Sequence, residues 1–287
     1  MGSLAKDYYL LAKPGIVRGN ALAAIGGFLL GAQGRMNWAL FAAMLLGLSA
    51  IIASACVANN VLDRGIDKRM HRTRKRALVT GTIHARAALT YALLLGTSGI
   101  AVLLTGTNGL ALATALVGFV FYVFVYGLAK RYSVHGTVIG GIAGAMPPVV
   151  GYAAATGRID TAAWLLLAVL TFWQMPHFYA IALYRKNDYA AANLPVLPIV
   201  KGDAATKRQM IWYIIGFAAS CVALTVAGYT GISYTVVMIG VSLYWLLVAL
   251  RGYHTPHTAQ WARTVFGVSL VSLLAFCIMI SVDAWIP

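Results

Sequence analysis

The chain contains no glutamate. Its seven acidic residues are all Asp, against 22 Lys and Arg, and charged residues fill only 10% of its 287 positions. A soluble domain carries roughly 25% charged and about 45–50% apolar residues. This chain is 61% hydrophobic, with a mean hydropathy of +0.80. So little charge excludes a soluble globular enzyme and a disordered chain. It excludes a nucleic-acid-binding domain as well. An isoelectric point near 10.0 would ordinarily raise nucleic acid as a partner, but a chain this apolar has no soluble surface on which to display the charge. Cysteine is scarce too. Cys56, Cys221 and Cys277 lie in apolar runs without pairing pattern or metal-ligand spacing, and read as packing residues.

What is abundant is apolar length. Nine runs occupy about 16–33, 38–59, 87–105, 109–128, 137–156, 162–182, 210–228, 232–250 and 264–282. About 20 apolar residues in a helix cross a bilayer core of about 30 Å. Outer-membrane strands would instead alternate in polarity over roughly 10-residue segments, a pattern that does not occur here. The first run is followed at once by another span, which argues against a signal peptide. No linker or low-complexity stretch divides the chain. The sequence therefore predicts an all-α integral membrane protein of nine transmembrane helices, with residues 1–287 as a single membrane-embedded domain.

Basic residues set the orientation. All of the 22 Lys and Arg except Arg35 and Arg158 fall in the N-terminal segment or in the connections after spans 2, 4, 6 and 8. That side is predicted to be cytoplasmic, with the N-terminus on it and the C-terminus opposite. The two longest connections, roughly 60–86 and 183–209, both lie there. Both hold carboxylates among dense basic residues: Asp63 and Asp67 in the first, Asp188 and Asp203 in the second. Function is expected in these loops and in the span ends beneath them.

The first constellation is Asn59-x-x-x-Asp63-x-x-x-Asp67. A spacing of four keeps the three on one helical face, drifting about 40° per step. Two carboxylates one turn apart repel, and need a cation or basic partners to stay ionised. Oxygen ligands of this kind suit Mg²⁺, which typically takes one or two carboxylates plus substrate phosphates. The bland alternative is a solvated helix end paired with Arg64 and Lys68. Arg72 and Arg76 extend the same stride, and a persisting helix would carry them to the same pocket. Their forked donors suit phosphate or carboxylate; topology and lipid headgroups are the alternative use.

The second constellation is Tyr184-Arg185-x-x-Asp188-Tyr189, followed by Asn193-x-Pro195-x-Leu197-Pro198. Asp188 is placed to complete a metal site from the opposite half; an exposed Asp beside Arg185 and Lys186 is its plain alternative. The third, Trp173-Gln174-x-Pro176-His177-Phe178, lies inside span 6. Proline in a span frees a carbonyl and can kink the helix. His177 is open to three roles: ligating a haem iron, hydrogen-bonding an acceptor, or satisfying the freed backbone. Lys130-Arg131 after Tyr126 forms a short basic patch. His254-x-x-His257 has metal-like spacing but reads as a solvated loop.

Together these motifs resemble the intramembrane aromatic prenyltransferase (UbiA-type) superfamily. Asn59-x-x-x-Asp63-x-x-x-Asp67 with Met70-x-Arg72-Thr73-x-x-Arg76 is similar to its first aspartate motif. Within it, Trp173-x-x-Pro176-His177-Phe178 and Arg185-x-x-Asp188-Tyr189 through Leu197-Pro198 resemble the protoheme IX farnesyltransferase (haem O synthase) branch, as do Lys13-Pro14-Gly15 and Tyr126…Lys130-Arg131. Other branches carry a fuller two-aspartate motif in the second loop; here Asp188 stands alone, which fits the haem branch.

The resemblance implies nine helices around a central cavity, with the active site at the cytoplasmic side of the cell inner membrane. It implies farnesyl diphosphate and haem B as substrates, Mg²⁺ as cofactor, membrane lipid as surroundings, and no nucleic acid. Asp63, Asp67 and Asp188 would be catalytic. These three with Asn59 would hold Mg²⁺. Asn59, Arg72, Arg76, Tyr126, Lys130, Arg131, His177 and Arg185 would bind substrate. Association with haem A synthase or terminal-oxidase assembly is a further expectation. A sister prenyltransferase of a quinone precursor or chlorophyllide is the enzyme alternative, and an ion-coupled transporter the alternative from another class.

Overall fold

The computed structural model describes residues 4–283. The C-terminal end, whose side of the membrane the charge pattern predicts, lies outside the described residues. Within them, backbone polar groups in an apolar solvent must be satisfied inside each segment, and the apolar runs all form helices. A short α1 (Leu4–Leu11) precedes α2 (Pro14–Ala32) and α3 (Trp38–Leu62). The first long connection holds α4 (Arg64–Arg69) and α5 (Ala77–Thr80). Next come α6 (Ala85–Gly106), α7 (Gly109–Val120), a π-helical turn (Phe121–Val125) and α8 (Tyr126–Tyr132), the last three as one continuous rod. α9 (Gly136–Thr156) and α10 (Thr161–Tyr184) follow, and the second long connection holds α11 (Lys186–Ala191) and α12 (Leu197–Val200). α13 (Gly202–Val226), α14 (Ile232–Leu250) and α15 (Thr258–Val282) complete the bundle. Nine helices among the described residues are long and apolar enough to cross a membrane.

Several helices run past the apolar stretches that predict them. α13 begins at Gly202, so Lys207 lies within its first turns, where Nζ donates to the Gly252 carbonyl at 2.8 Å. The α7–α8 rod likewise carries Lys130 and Arg131 in its last turn. A helix needs apolar residues only inside the hydrocarbon, and long basic side chains reach the interface from its end.

The four-residue stride from Asn59 does not continue as one helix. α3 stops at Leu62, Asp63 turns the chain (φ −88°, ψ 1°), and α4 ends at Met70 (ψ 130°). Residues 70–76 then close tight turns, with Thr73 N–H and Arg74 N–H both donating to the Met70 carbonyl. This polar stretch has no apolar stripe with which to lie along the bundle. Folding back brings Arg72 and Arg76 to the cavity that a straight helix would have carried them away from.

α2 crosses α9 with its backbone almost in contact. A Cβ on Gly27 would lie 1.9 Å from the Pro148 carbonyl oxygen, and one on Gly151 would lie 2.0 Å from that of Ala24. Such small-residue faces let membrane helices gain dispersion contact without a hydrophobic drive. α10 is the central strut, packed against α9, α13 and α15, with Leu166, Val169, Met175 and Tyr179 buried. Leu93, Leu104, Trp212, Val226 and Leu247 point outward, which suits a lipid-facing belt. Between α2, α3, the π turn, α9, α10 and α15 lies a cavity of about 610 Å³.

Candidate active site

The cavity has two chemically different ends. At the end closed by the two long connections, the last turn of α3 presents Asn59 and, as its C-cap, Asp63. Lys130 Nζ, reaching from α8, makes an ion pair with Asp63 Oδ2. With its amide oxygen turned to Lys130, Asn59 accepts from Nζ at 3.0 Å and donates to Asp63 Oδ2 at 2.9 Å, which satisfies both ends of the amide. Arg131 donates to the Leu62 carbonyl at 2.7 Å and stands 3.7 Å from Asp63 Oδ1. Asp63 Oδ1 is buried and has no hydrogen-bond partner.

Asp67 forms a second cluster. It is only 5% exposed, and Arg76 Nη1 donates to its Oδ2 at 2.6 Å and to Asn60 Oδ1 at 3.2 Å. Asn60 Nδ2 donates to the Leu11 carbonyl at 2.8 Å, and Thr73 Oγ1 to the Asp67 carbonyl at 2.9 Å. One network thus ties α1, α3 and the first loop together. Each carboxylate holds its own basic partner, as two nearby ionised carboxylates require.

The π turn sets the opposite wall. A wide turn inside an α-helix rotates the residues that follow it and recurs at functional sites. Here Tyr122 and Tyr126 stack at 5.8 Å, and Lys130 Nζ sits 5.0 Å from the Tyr126 ring centre. Lys13 faces them from the turn before α2, in the left-handed region at φ 52°, ψ 64°. Burial pushes its amine below the ordinary lysine value, an effect opposed in part by the nearby Cys56 and Asp63. Lys13, Arg72, Arg76 and Lys130 all line the cavity.

The second loop packs on the first. Met70, Ala192 and Leu194 form a small buried cluster, with Ile66, Tyr189 and Val196 against it. Tyr189 lines the cavity. Burial pushes its phenol up, with Arg72 nearby acting the other way. Asp188, one residue earlier, is half-buried and does not line the cavity. Arg185 is exposed and lies 5.5 Å over the Tyr184 ring. Arg131 lines a separate pocket of about 280 Å³ with Arg69, Gly65 and Asn193. The structure therefore brings Arg72, Arg76, Tyr126 and Lys130 to the cavity wall at one end, with Asn59, Asp63 and Asp67 paired to Lys130 and Arg76 just outside the lining. Asp188 and Arg185 lie in the second long connection, and Arg131, in the last turn of α8, faces the separate pocket.

The far end is aromatic. His177 stacks on Trp173 at 4.9 Å and meets Phe266 at 4.7 Å. Its Nδ1 lies 2.8 Å from Ser269 Oγ, and Trp173 Nε1 donates to the Ser269 carbonyl at 2.7 Å. Gln174 Nε2 donates to the Gly141 and Leu170 carbonyls, both at 3.0 Å. The cavity between the two ends is lined by small and apolar residues, among them Ile51, Ala115, Gly144 and Val150.

The donor set at the basic end fits a hard divalent cation. It consists of oxygens, and the orphaned Asp63 Oδ1 is a buried lone-pair site awaiting a partner. Among the described residues no three His, Cys or carboxylate side chains converge as a closed cage. An ion held here would take part of its coordination from a ligand, the usual arrangement for Mg²⁺ with phosphates.

Sequence reasoning did not single out Asn60, Tyr122 or Ser269. Asn60 had a signal, as the second of two adjacent amides at the end of an apolar run, and Tyr122 stands one turn before Tyr126. Ser269 had none, being a small hydroxyl in an apolar helix.

A membrane-embedded helical bundle enclosing an apolar cavity, with carboxylates and cations at one end, is the architecture of intramembrane prenyl transfer. The chain belongs to the UbiA prenyltransferase family, which matches residues 20–274. It is 48% identical over 283 residues to a protoheme IX farnesyltransferase of Citrobacter koseri, covering 98% of this chain and 96% of that protein. It is 48% identical over 285 residues to the protein of that name from Cronobacter sakazakii, covering 99% and 97%. Its fold matches a solved UbiA homologue of Aeropyrum pernix with a TM-score of 0.73 at 20% identity, covering 94% of this chain and 98% of that one. It also matches a UbiA homologue of Archaeoglobus fulgidus bound to GPP and Mg²⁺, with a TM-score of 0.69 at 15% identity over 96% and 99%.

Proposed function

We propose that the protein transfers the farnesyl group of farnesyl diphosphate to the 2-vinyl group of haem B, with addition of water, giving haem O and diphosphate. The observation that carries this reading is one cavity whose basic end, with Lys130 and Arg76 paired to Asp63 and Asp67, faces an imidazole-bearing aromatic end, in a chain 48% identical over nearly its whole length to proteins named for this activity. The diphosphate is assigned to the first end and the porphyrin to the second. The reading takes residues 1–287 as one membrane-embedded domain. The positive-inside pattern supports placing the diphosphate end at the cytoplasmic face of the inner membrane.

Asn59, Asp63 and Asp67 would hold Mg²⁺, with Asp188 joining from the second loop, which packs on the first. When bound, Mg²⁺ would neutralise diphosphate charge. Lys130 and Arg76 now neutralise Asp63 and Asp67; with donor bound they turn to the phosphates, joined by Arg72 and Lys13. Arg131, in the last turn of α8, and Arg185, at the end of α10, would assist substrate binding through their positive potential. These cations stabilise the charge that develops on the leaving oxygen as the C1–O bond breaks.

The other half of the reaction needs no strong base. The electron pair of the vinyl C=C attacks farnesyl C1, forming the C–C bond. Positive charge then resides on the vinyl carbon attached to the porphyrin. Water adds there and loses a proton, giving the hydroxyethylfarnesyl group. Tyr126 and the apolar middle of the cavity keep bulk water from the allylic cation. His177 binds the haem.

The test is incubation of the purified protein in lipid with haem B, farnesyl diphosphate and Mg²⁺, with haem extracts read by mass spectrometry. A haem heavier by one farnesyl group and one hydroxyl group is expected, lost on chelation, restored by Mg²⁺, and absent in Asp63→Ala and Asp67→Ala. Mg²⁺-dependent prenylation of another aromatic acceptor, with none of haem, would overturn the haem assignment.

A further inference from the structure

His177 is held by more than its stacking partners. Its Nδ1 lies 2.8 Å from Ser269 Oγ. That hydroxyl has one hydrogen, and it is already committed: Ser269 Oγ donates to the Phe266 carbonyl, one turn earlier on α15, at 2.6 Å. A hydroxyl whose proton is used can only accept from a third group. Turning that proton to His177 would leave two oxygen lone pairs facing each other at 2.6 Å. The proton between the two side chains therefore sits on the imidazole, and His177 is the Nδ1–H tautomer.

The consequence lies on the other edge of the ring. In a neutral imidazole protonated at Nδ1, Nε2 carries a free lone pair. Nε2 has no hydrogen-bond partner among the described residues, and His177 lines the cavity. The ring is packed against Trp173 at 4.9 Å and Phe266 at 4.7 Å, which restricts its rotation. Trp173 is itself anchored to α15 by its Nε1 bond to the Ser269 carbonyl. Ser269 is fully buried, so water does not compete for its oxygen.

We infer that Ser269 is a positioning residue: it fixes the His177 tautomer and ring plane so that Nε2 is the axial donor to the iron of the haem acceptor. The inference rests on the haem reading above and deepens it. The Nε2 lone pair forms the iron–nitrogen bond, and no proton or electron moves. A ligating His that donates its other N–H to an oxygen is more basic towards the metal, and loss of such a partner typically costs about 10–100-fold in metal affinity. Holding the iron on one axis also fixes which porphyrin edge meets the donor C1.

The test is haem titration of the intact protein in nanodiscs, without farnesyl diphosphate, read by optical and resonance Raman spectra. The wild type should show a nitrogen-ligated haem. His177→Gly should lose that signature and regain it with added imidazole, which also shows that the variant is folded. Ser269→Ala should bind haem about 10–100-fold more weakly, with a lowered iron–histidine stretching frequency in the ferrous form. Ser269→Thr, which keeps the hydroxyl, should restore both. Unchanged affinity and stretching frequency in Ser269→Ala would overturn the role of Ser269. A nitrogen-ligated spectrum that survives in His177→Gly without imidazole would overturn Nε2 as the ligand. If the wild type shows no nitrogen ligation in this titration yet, once farnesyl diphosphate and Mg²⁺ are added to the same sample, converts haem to its farnesylated product, this inference fails and the proposed function stands. If it neither binds haem nor converts it after the donor is added, both fail.

Discussion

Lys130 and Asp63 form an ion pair that ties the last turn of the α7–α8 rod to the C-cap of α3. The side chains are only 11% and 14% exposed, so neither charge is left to water. Removing one partner of a buried pair typically costs about 3–5 kcal/mol, because the other charge is stranded. Lys130→Met is therefore expected to lower the thermal unfolding midpoint in detergent and to abolish turnover. Asp63→Asn also strands a charge, that of Lys130, but keeps an oxygen that accepts from Nζ, so its loss of turnover, about 100-fold or more if leaving-group stabilisation is lost, should come with a smaller change in midpoint than that of Lys130→Met. Equal midpoints for Lys130→Met and wild type would show that the pair bears no structural load.

Asn60 accepts from Arg76 while donating to the Leu11 carbonyl. It couples α1 to the loop that carries Asp67. Asn60→Ala leaves a buried carbonyl unpaired and frees one Arg76 donor, a loss of about 1–3 kcal/mol. Arg76 then has only Asp67 to orient it. The expected outcome is a raised KM for farnesyl diphosphate with haem affinity unchanged. Arg76→Lys should resemble it, since the shorter lysine, with rotatable donors in place of a planar guanidinium, does not hold Asp67 and Asn60 in the fixed geometry that Arg76 Nη1 gives. Donor and haem titrations on the same preparation check both.

The span pattern was legible because bilayer thickness imposes it: a run long enough to cross is visible as composition, and the alternation of basic loops tests the count. Asn59, Asp63 and Asp67 were legible because carboxylates are rare in this chain and recur at a helical interval. The break at Asp63 was not, since a spacing of four looks the same whether or not the helix stops between its members. Nor was the return of Arg72 and Arg76, which depends on Thr73 closing a turn onto the Asp67 carbonyl. Ser269 was invisible because its role is set by what faces it on α10, 92 residues away in the chain. In sequence Lys13 stands out only as part of the Lys13-Pro14-Gly15 resemblance; its left-handed backbone has no mark there, and its place in the cavity wall shows only in the fold.

The crossing of α2 and α9 predicts a steric threshold. At Gly27 an added methyl would meet the Pro148 carbonyl oxygen at 1.9 Å. That neighbour is backbone, held in α9 at the Pro147-Pro148 step, and cannot swing away. Gly27→Ala is expected to force the helices apart at a cost of about 1–3 kcal/mol. A methyl group on Gly19, about two turns nearer the start of α2, would meet only open space. Gly19→Ala should be neutral or slightly stabilising through helix propensity. Unfolding midpoints of the two variants decide it; a similar effect from both would mean that propensity, not the crossing, sets the outcome.

Lys13 supplies a pH dependence whose sign can be worked out. Burial lowers its amine below the ordinary 10.5. Between that lowered value and 10.5 the unfolded chain binds more protons than the native one, so stability rises with pH across the window and is lowest below it. Lys13→Met removes the ionisable group, and its unfolding midpoint should lack this rise. Donor binding runs the other way. A charged amine attracts the diphosphate, so the KM for farnesyl diphosphate should climb as pH passes upward through the lowered value, while the stability of the protein is still increasing. Lys13→Gly separates charge from backbone: it relieves about 1 kcal/mol of left-handed strain and still loses the amine. It should therefore be at least as stable as Lys13→Met and equally poor in donor affinity. A wild-type KM that stays flat across this pH range would show that Lys13 shapes the turn before α2 without touching the donor.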